Sequence, residues 1–182
     1  MLVRLPSVTI PVAAEETIDS ITECLNRVSI FAPLSEDEIE RLANASKVRV
    51  YAPGEAIVRK GQDGHSMFVI VRGEAKVQIP ERAEQRTLNN LGENDFFGEM
   101  SLLTGEPRSA NVVATCETEV LQIKKDGLKP ILESNPALVE TICVLIEERK
   151  ELIAAQADED AEDKHVRRQG VMRSIRKFFG LK

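Results

Sequence analysis

Hydrophobic and polar positions follow three successive patterns along this chain: helical at the start, β-rich in the middle and helical again towards the end. From Glu15 onward, apolar residues recur at steps of three and four, which predicts a helix of about 14 residues. These apolar residues are Ile18, Ile21, Leu25 and Val28. Ser35 stands three residues before Glu38, as in a capping box, and predicts a second, short helix over residues 36–44.

The middle of the chain, residues 46–125, consists of short β-rich runs separated by turn signals. The runs are KVRVY, AIVR, SMFVIV, EAKVQI, RTLNNL, SANVVAT and EVLQIK. This spacing predicts an eight-stranded antiparallel β-roll, similar to a jelly roll. Gly61 and Gly64 lie in the segment GQDG, which lacks the lysine and the following Ser or Thr of a triphosphate-binding loop, so both are interpreted as turn glycines.

Helical patterning returns near Asp126, and Asn135-Pro136 provides an N-cap followed by proline at the first helical position. The sequence therefore predicts an α+β domain over residues 15–157. It would comprise N-terminal helices (15–45), the roll (46–125) and two C-terminal helices (126–157). Residues 1–14 are interpreted as a linker and residues 158–182 as a charged tail.

Composition favours a soluble, cytoplasmic protein, with 42% hydrophobic and 30% charged residues and no apolar run of membrane-spanning length. Cys24, Cys116 and Cys143 are widely separated, and we expect all three to be buried free thiols. With only His65 and His165 as histidines, a metal-dependent enzyme on a similar roll lacks its ligand cluster. We therefore expect no catalytic residue, no metal and no cofactor.

The net charge of −6 is unevenly distributed, because the segment from Lys164 to Lys182 contains seven basic residues and no acidic one. The acidic remainder argues against nucleic-acid binding by the main domain. Within the tail, one helical face would carry Val171, Ile175 and Phe178, opposite basic residues. Such a helix could contact anionic lipid or dock on a partner helix, and the alternative is a flexible tail that is solvated or pairs with the acidic run before it.

The segment FFGEMSLLTGEPRSANV, from Phe96 to Val112, interrupts the strand pattern. Gly98 permits a close backbone approach, and the residues after it can form a single helical turn that Gly105 ends. The free amides at the start of such a turn suit a phosphate, and Arg108 adds a guanidinium for the same anion. A carboxylate at Glu99 suits a hydroxyl donor such as a ribose 2′-hydroxyl.

Most of this segment, FGEMSLLTGEPRSANV, resembles the phosphate-binding cassette of the cyclic nucleotide-binding domain family, and we call residues 97–112 the cassette. The resemblance extends over about residues 30–149 and includes APGEAIVRKGQDGHSMFVIVRGEAKV. It implies that Glu99 binds the ribose 2′-hydroxyl and Arg108 the cyclic phosphate. The implied helpers in holding the phosphate are the main-chain amides of Gly98, Glu99, Met100 and Ser101 and the hydroxyl of Ser109.

Alternatives remain open for several of these residues. Arg108 could pair with Glu99 across an empty roll, as in family members that have lost ligand binding. Val77 and Leu88 would either form an apolar wall near the nucleotide or pack in the roll core. Arg149 lies on the apolar stripe of the last long helix, where it could snorkel or meet a carboxylate. The resemblance to bacterial channel domains ending similarly in EERK implies instead that it contacts the purine.

The ending VRRQGVMRSIRKFFGLK resembles that of bacterial cyclic nucleotide-gated channels of the mechanosensitive-like type. This resemblance implies a sensor domain on the cytoplasmic face of the inner membrane, controlling the effector domain of a parent channel. Binding would reposition the C-terminal helices, and cAMP is favoured over cGMP on family resemblance. The alternative is a stand-alone or degenerate interaction module that no longer binds nucleotide.

Overall fold

The computed structural model describes residues 14–81, 84–155 and 164–180. The helices of these ranges are α1 (Ala14–Arg27), α2 (Glu36–Ala45), α3 (Glu99–Thr104), α4 (Lys125–Ser134), α5 (Pro136–Ala155) and α6 (Lys164–Phe179). The strands are β1 (Lys47–Tyr51), β2 (Ala56–Val58), β3 (Ser66–Arg72), β4 (Ala75–Glu81), β5 (Glu84–Leu91), β6 (Phe96–Phe97), β7 (Asn111–Ala114) and β8 (Thr118–Lys124). The proposed linker, residues 1–14, and the acidic run before α6 lie almost entirely outside the described residues.

The strands form two four-stranded antiparallel sheets, one in the order β1-β8-β3-β6 and the other in the order β2-β7-β4-β5. This arrangement confirms the α+β class and the antiparallel roll. Strand β6 was not among the predicted runs, because a strand of two residues shows no alternation. It pairs with β3 through Phe68↔Phe97 and Val69↔Phe96, and it thereby places the start of the cassette beside the first sheet.

Strand β3 separates two hydrophobic cores, which explains why its sequence is a continuous apolar run. Met67 and Val69 belong to the core that the first sheet shares with the helices. Phe68 and Ile70 point the other way, into the core enclosed between the two sheets. Because side chains alternate along a strand, a strand that is covered on both faces must be apolar at every position.

The cysteines divide into two groups in the structure. Cys24 and Cys143 are buried, as expected, and burial raises the pKa of the Cys24 thiol. The expectation is wrong for Cys116, which is exposed. Cys116 lies in the turn between β7 and β8, where its neighbours Thr115 and Glu117 are also exposed. This turn does not pack against a hydrophobic core, so the thiol stays exposed.

The capping box at α2 is present, and it also joins α2 to the junction between α4 and α5. The carboxylate of Glu38 accepts hydrogen bonds from the amide of Ser35 at 2.9 Å and from the side chains of Ser134 at 3.2 Å and Asn135 at 3.0 Å. Asn135 in turn caps α5 by accepting the amide of Leu138. These bonds, above all that of Ser35, hold the pKa of Glu38 below its usual value, although burial acts in the opposite direction.

Residues 164–179 form the predicted amphipathic helix, and α6 packs on the domain instead of remaining a solvated, flexible tail. Val171, Ile175 and Phe179 are buried in the helical core, while Phe178 is partly buried beside it. The helix docks because these apolar side chains are removed from water by packing on the domain, mainly against α3 and α5. Among the described helices, none combines the length and the apolar character that crossing a bilayer requires.

We expect Glu38→Ala to lower the free energy of unfolding by about 1 to 2 kcal/mol at pH 7, because it removes the capping carboxylate. A carboxylate with a lowered pKa contributes stability above its ordinary pKa of 4.5 and loses that contribution as pH falls through the lowered value. The difference between wild type and variant should therefore shrink below pH 4.5. Urea unfolding from pH 7 downward measures it, and a difference that is independent of pH would contradict the assignment.

Candidate functional site

The cassette backbone turns at two glycines in the left-handed region. Gly98, with φ of 81°, follows β6 and precedes α3, and Gly105, with φ of 77°, ends α3. The amide of Gly105 donates to the carbonyl of Ser101 at 3.0 Å and closes the last turn. Other residues adopt this conformation only with strain, so these two glycines determine where the cassette helix begins and ends.

Arg108 is buried, with 8% of its surface exposed, and it reaches from the far end of the cassette back to its beginning. Its guanidinium donates to the carbonyl of Gly98 at 2.7 Å and to the carbonyl of Ser66 at 2.7 Å. Burial lowers the pKa of Arg108, while the charge of Glu99 opposes that shift. A guanidinium has five N–H groups, so two bonds to carbonyls orient it and leave donors for an anion.

Glu99 bonds to Arg149 of α5 and not to Arg108. The two side chains form an ion pair of 2.7 Å, and Arg149 also donates to the carbonyl of Phe96 at 3.2 Å. The Arg149 guanidinium lies 4.6 Å from the centre of the Phe96 ring. Of the alternatives that the sequence left open, the structure therefore places Arg149 against a carboxylate, and the pairing of Arg108 with Glu99 is wrong for this structure.

The second carboxylate oxygen of Glu99 is the unusual feature of the site. Glu99 is only 1% exposed, and its Oε2 is buried without a hydrogen-bond partner. Burial raises the pKa of Glu99, and the Arg149 charge works in the opposite direction. A buried carboxylate oxygen without a donor is costly, so this atom would gain from a ligand hydroxyl.

Gly64 belongs to the site, although the sequence indicated only a turn. A Cβ at this position would lie 2.5 Å from the Arg108 guanidinium carbon and 2.7 Å from the Cβ of Ser101. Gly61 fits the turn interpretation, because its φ is 82° and no atom lies near its hypothetical Cβ. No local signal separates the two glycines of GQDG, since the neighbour that requires Gly64 is distant in sequence.

The other predicted residues lie at different depths around this centre. Ser101 is buried, whereas Ser109 is exposed. Met100 packs against the helical core, so only its amide is available to the site. Val77 packs partly buried against the core inside the roll, and Leu88 is partly exposed on β5.

The role of Val77 on β4 and Leu88 on β5 as an apolar wall for a ligand stays a prediction. The described residues contain no group of three or more His, Cys, Asp or Glu side chains arranged to hold a metal ion. The arrangement instead offers a guanidinium with unused donors beside a carboxylate of which one oxygen lacks a hydrogen-bond donor.

Residues 48–135 match the family model described as "Cyclic nucleotide-binding domain". The chain is 38% identical over 120 residues to the cGMP-dependent protein kinase egl-4 of Caenorhabditis briggsae, covering 64% of this chain and 16% of the kinase. It is 35% identical over 115 residues to a cyclic nucleotide-gated potassium channel of Rhizobium etli, covering 63% of this chain and 31% of the channel. The chain thus spans less than a third of the length of these curated relatives.

Solved structures show the same fold. The regulatory domain of Toxoplasma gondii protein kinase A with cAMP superposes with a TM-score of 0.66 at 23% identity, over 76% of this chain and 51% of that one. The catabolite activator protein of Thermus thermophilus superposes with a TM-score of 0.63 at 26% identity, over 71% of this chain and 61% of that one.

We expect Gly64→Ala to destabilise the fold by about 1 to 3 kcal/mol, because its methyl group would displace Arg108 or Ser101 from a packed position. Gly92→Ala is the matched control, since a Cβ at Gly92 meets no atom within 4 Å and its φ is not positive. The control should change stability by no more than about 0.5 kcal/mol. Denaturant unfolding of both variants makes the comparison, and equal effects would remove Gly64 from the site.

Proposed function

We propose that this chain, whose residues 48–135 match the cyclic nucleotide-binding domain family, is a member of that family and a sensor that binds a cyclic nucleotide and passes the binding event to its C-terminal helices. The observation that carries the proposal is that one cassette contains two groups with unused hydrogen-bonding capacity of opposite kinds. Arg108 is oriented by carbonyls with donors to spare, and Glu99 is buried with an acceptor to spare. A ligand with one phosphate and a neighbouring ribose hydroxyl satisfies both groups.

In this proposal each group binds a different part of the ligand. Arg108 donates to the exocyclic oxygens of the cyclic phosphate, together with the free amides at the start of α3. Glu99 accepts a hydrogen bond from the ribose 2′-hydroxyl through Oε2, while its other oxygen keeps its hydrogen bond from Arg149. Ser109 is exposed and within the cassette, so its hydroxyl is available to the phosphate or to the 2-amino group of a guanine held syn.

We assign the output to α5 because Arg149 links this helix directly to the ribose-binding carboxylate. A ligand shifts an equilibrium only through contacts that differ between two states. Nucleotide at Glu99 changes the environment of Arg149, so it alters how firmly α5 is held at the cassette. Contacts worth about 2 to 3 kcal/mol would shift the population of the docked helix by roughly 30- to 150-fold. A direct contact between Arg149 and the purine stays a prediction.

We favour cAMP as the ligand and a bacterial ion channel as the effector. The support for cAMP is family resemblance, together with the cAMP bound in similar solved structures, such as the regulatory domain of Toxoplasma gondii protein kinase A. The support for a channel is the similarity to the Rhizobium etli potassium channel and the resemblance of the C-terminal segment. The domain would then lie at the cytoplasmic face of the membrane, and nucleotide-dependent flux through a channel carrying this chain as its sensor is the direct test.

Arg108→Ala should weaken cAMP binding at least tenfold, because a charge-assisted hydrogen bond to phosphate contributes about 1.5 to 3 kcal/mol. Calorimetric titration of the wild type with cAMP and cGMP measures both affinity and preference. Arg72→Ala is the matched control, since Arg72 is an exposed arginine at the end of β3 and should leave the dissociation constant unchanged.

The ribose contact is tested in the same titrations with 2′-deoxy-cAMP. The wild type should bind the deoxy compound more weakly than cAMP, and Glu99→Gln should reduce that difference. Absence of binding by either cyclic nucleotide would reject the sensor and favour the alternative, an interaction module that has lost its ligand. Binding that is unaffected by Arg108→Ala would remove Arg108 from the phosphate site.

Movement of α5 should appear as a nucleotide-dependent change in distance between spin labels at Val144 on α5 and Val50 on β1. These side chains are 39% and 49% exposed, so labels there disturb little packing. The label sites require a Cys116→Ser background, because Cys116 is the exposed native thiol among the three. Pulsed electron paramagnetic resonance with and without cAMP measures the distance distribution. Identical distributions at saturating nucleotide would contradict an output through α5.

A further inference from the structure

The C-terminal helix α6 contacts the end of the cassette helix through Phe178. A Cβ at Gly105, the residue that ends α3, would lie 2.7 and 2.8 Å from carbons of the Phe178 ring. The ring therefore occupies the space that a side chain at Gly105 would need. This contact joins the C-terminal segment to the cassette by a route separate from the ion pair between Glu99 and Arg149.

The Phe178 ring is held on two further sides. It stacks on the His65 ring, with centroids 6.4 Å apart and planes inclined by 9°. The ammonium of Lys125, at the start of α4, lies 3.3 Å from the ring centre. The same ammonium donates to the carbonyl of Phe178 at 2.7 Å, which satisfies one of the free carbonyls at the end of α6. Phe178 thus contacts the cassette, the start of β3 and the start of α4.

His65, which stacks on Phe178, is adjacent in sequence to two residues that contact the Arg108 guanidinium. His65 stands between Gly64, which packs against the Arg108 guanidinium, and Ser66, whose carbonyl accepts from that guanidinium. The amide of Lys125 also donates to the carbonyl of His65 at 3.1 Å, so the segment from Gly64 to Ser66 is anchored from the side of α4. A shift of Phe178 would therefore be transmitted to the backbone that orients Arg108.

We propose that Phe178 is a positioning residue for nucleotide binding, acting through His65 and Gly105, and that docking of α6 and binding of nucleotide favour each other. The inference rests on the proposed function. Its physical basis is preorganisation: with α6 docked, the Gly64–Ser66 segment and the end of α3 are already ordered, and the ligand does not bear that entropic cost. Coupling of this kind is reciprocal, so nucleotide must stabilise docked α6 by the same factor.

The test compares Phe178→Ala with Phe178→Tyr, which retains the ring, and with Arg173→Ala, an exposed position of the same helix. Calorimetric titration with cAMP should show a dissociation constant about fivefold higher for Phe178→Ala and unchanged for the other two variants. Hydrogen exchange of residues 171–179 should be slowed by cAMP in the wild type, and this slowing should be reduced in Phe178→Ala.

If Phe178 has a purely structural role, the expected results are different. In that case Phe178→Ala would lower the unfolding midpoint of the ligand-free protein and leave the dissociation constant unchanged, which would overturn the inference while the sensor function stands. If Phe178→Ala does not fold, Lys125→Met removes the ammonium but keeps an aliphatic stem, and it should raise the dissociation constant by about twofold to threefold. An unchanged value in that variant would equally overturn the inference. A wild type that binds no cyclic nucleotide would reject the proposed function as well.

Discussion

The cassette depends on satisfying two buried charges of opposite sign within one short segment. A guanidinium and a carboxylate are expensive to remove from water unless hydrogen bonds replace their hydration. The protein orients the Arg108 guanidinium with the carbonyls of Gly98 and Ser66, and it balances Glu99 with Arg149 from α5. Neither charge is completely satisfied in this way, and the remaining donors and the remaining acceptor are the groups that a cyclic nucleotide would use.

This constraint also accounts for much of the structure around the site. Glycine is required at positions 64 and 98 because a Cβ at either one would meet the Arg108 guanidinium at 2.5 Å. The helices are positioned by related polar contacts, since Glu38 joins α2 to Asn135 at the start of α5. Arg149 then connects α5 to the cassette. A continuous set of hydrogen bonds and packed helices therefore links the proposed ligand site to the C-terminal part of the chain.

Much of the fold was predictable because local patterns agree with tertiary structure. Helix α2 and its capping box follow from Ser35 and Glu38, and the runs of the roll follow from alternation and turn residues. Gly98 and Gly105 follow from their places at the two ends of a helical turn. The misses have different causes: Gly64 is required by Arg108, which is distant in sequence, β6 is too short to show alternation, and Cys116 lies in a turn that leaves it exposed.

By itself, the sequence determined the roll, the helices and the residue types of the cassette, because these depend on spacing within a few residues. Only the tertiary structure decided which partner each buried charge would take, because Arg149 lies 50 residues from Glu99 and Arg108 lies 42 residues from Ser66. It likewise decided that α6 docks through Phe178 instead of remaining solvated. An amphipathic helix buries its apolar face wherever a complementary surface exists, and that surface forms only once the domain has folded.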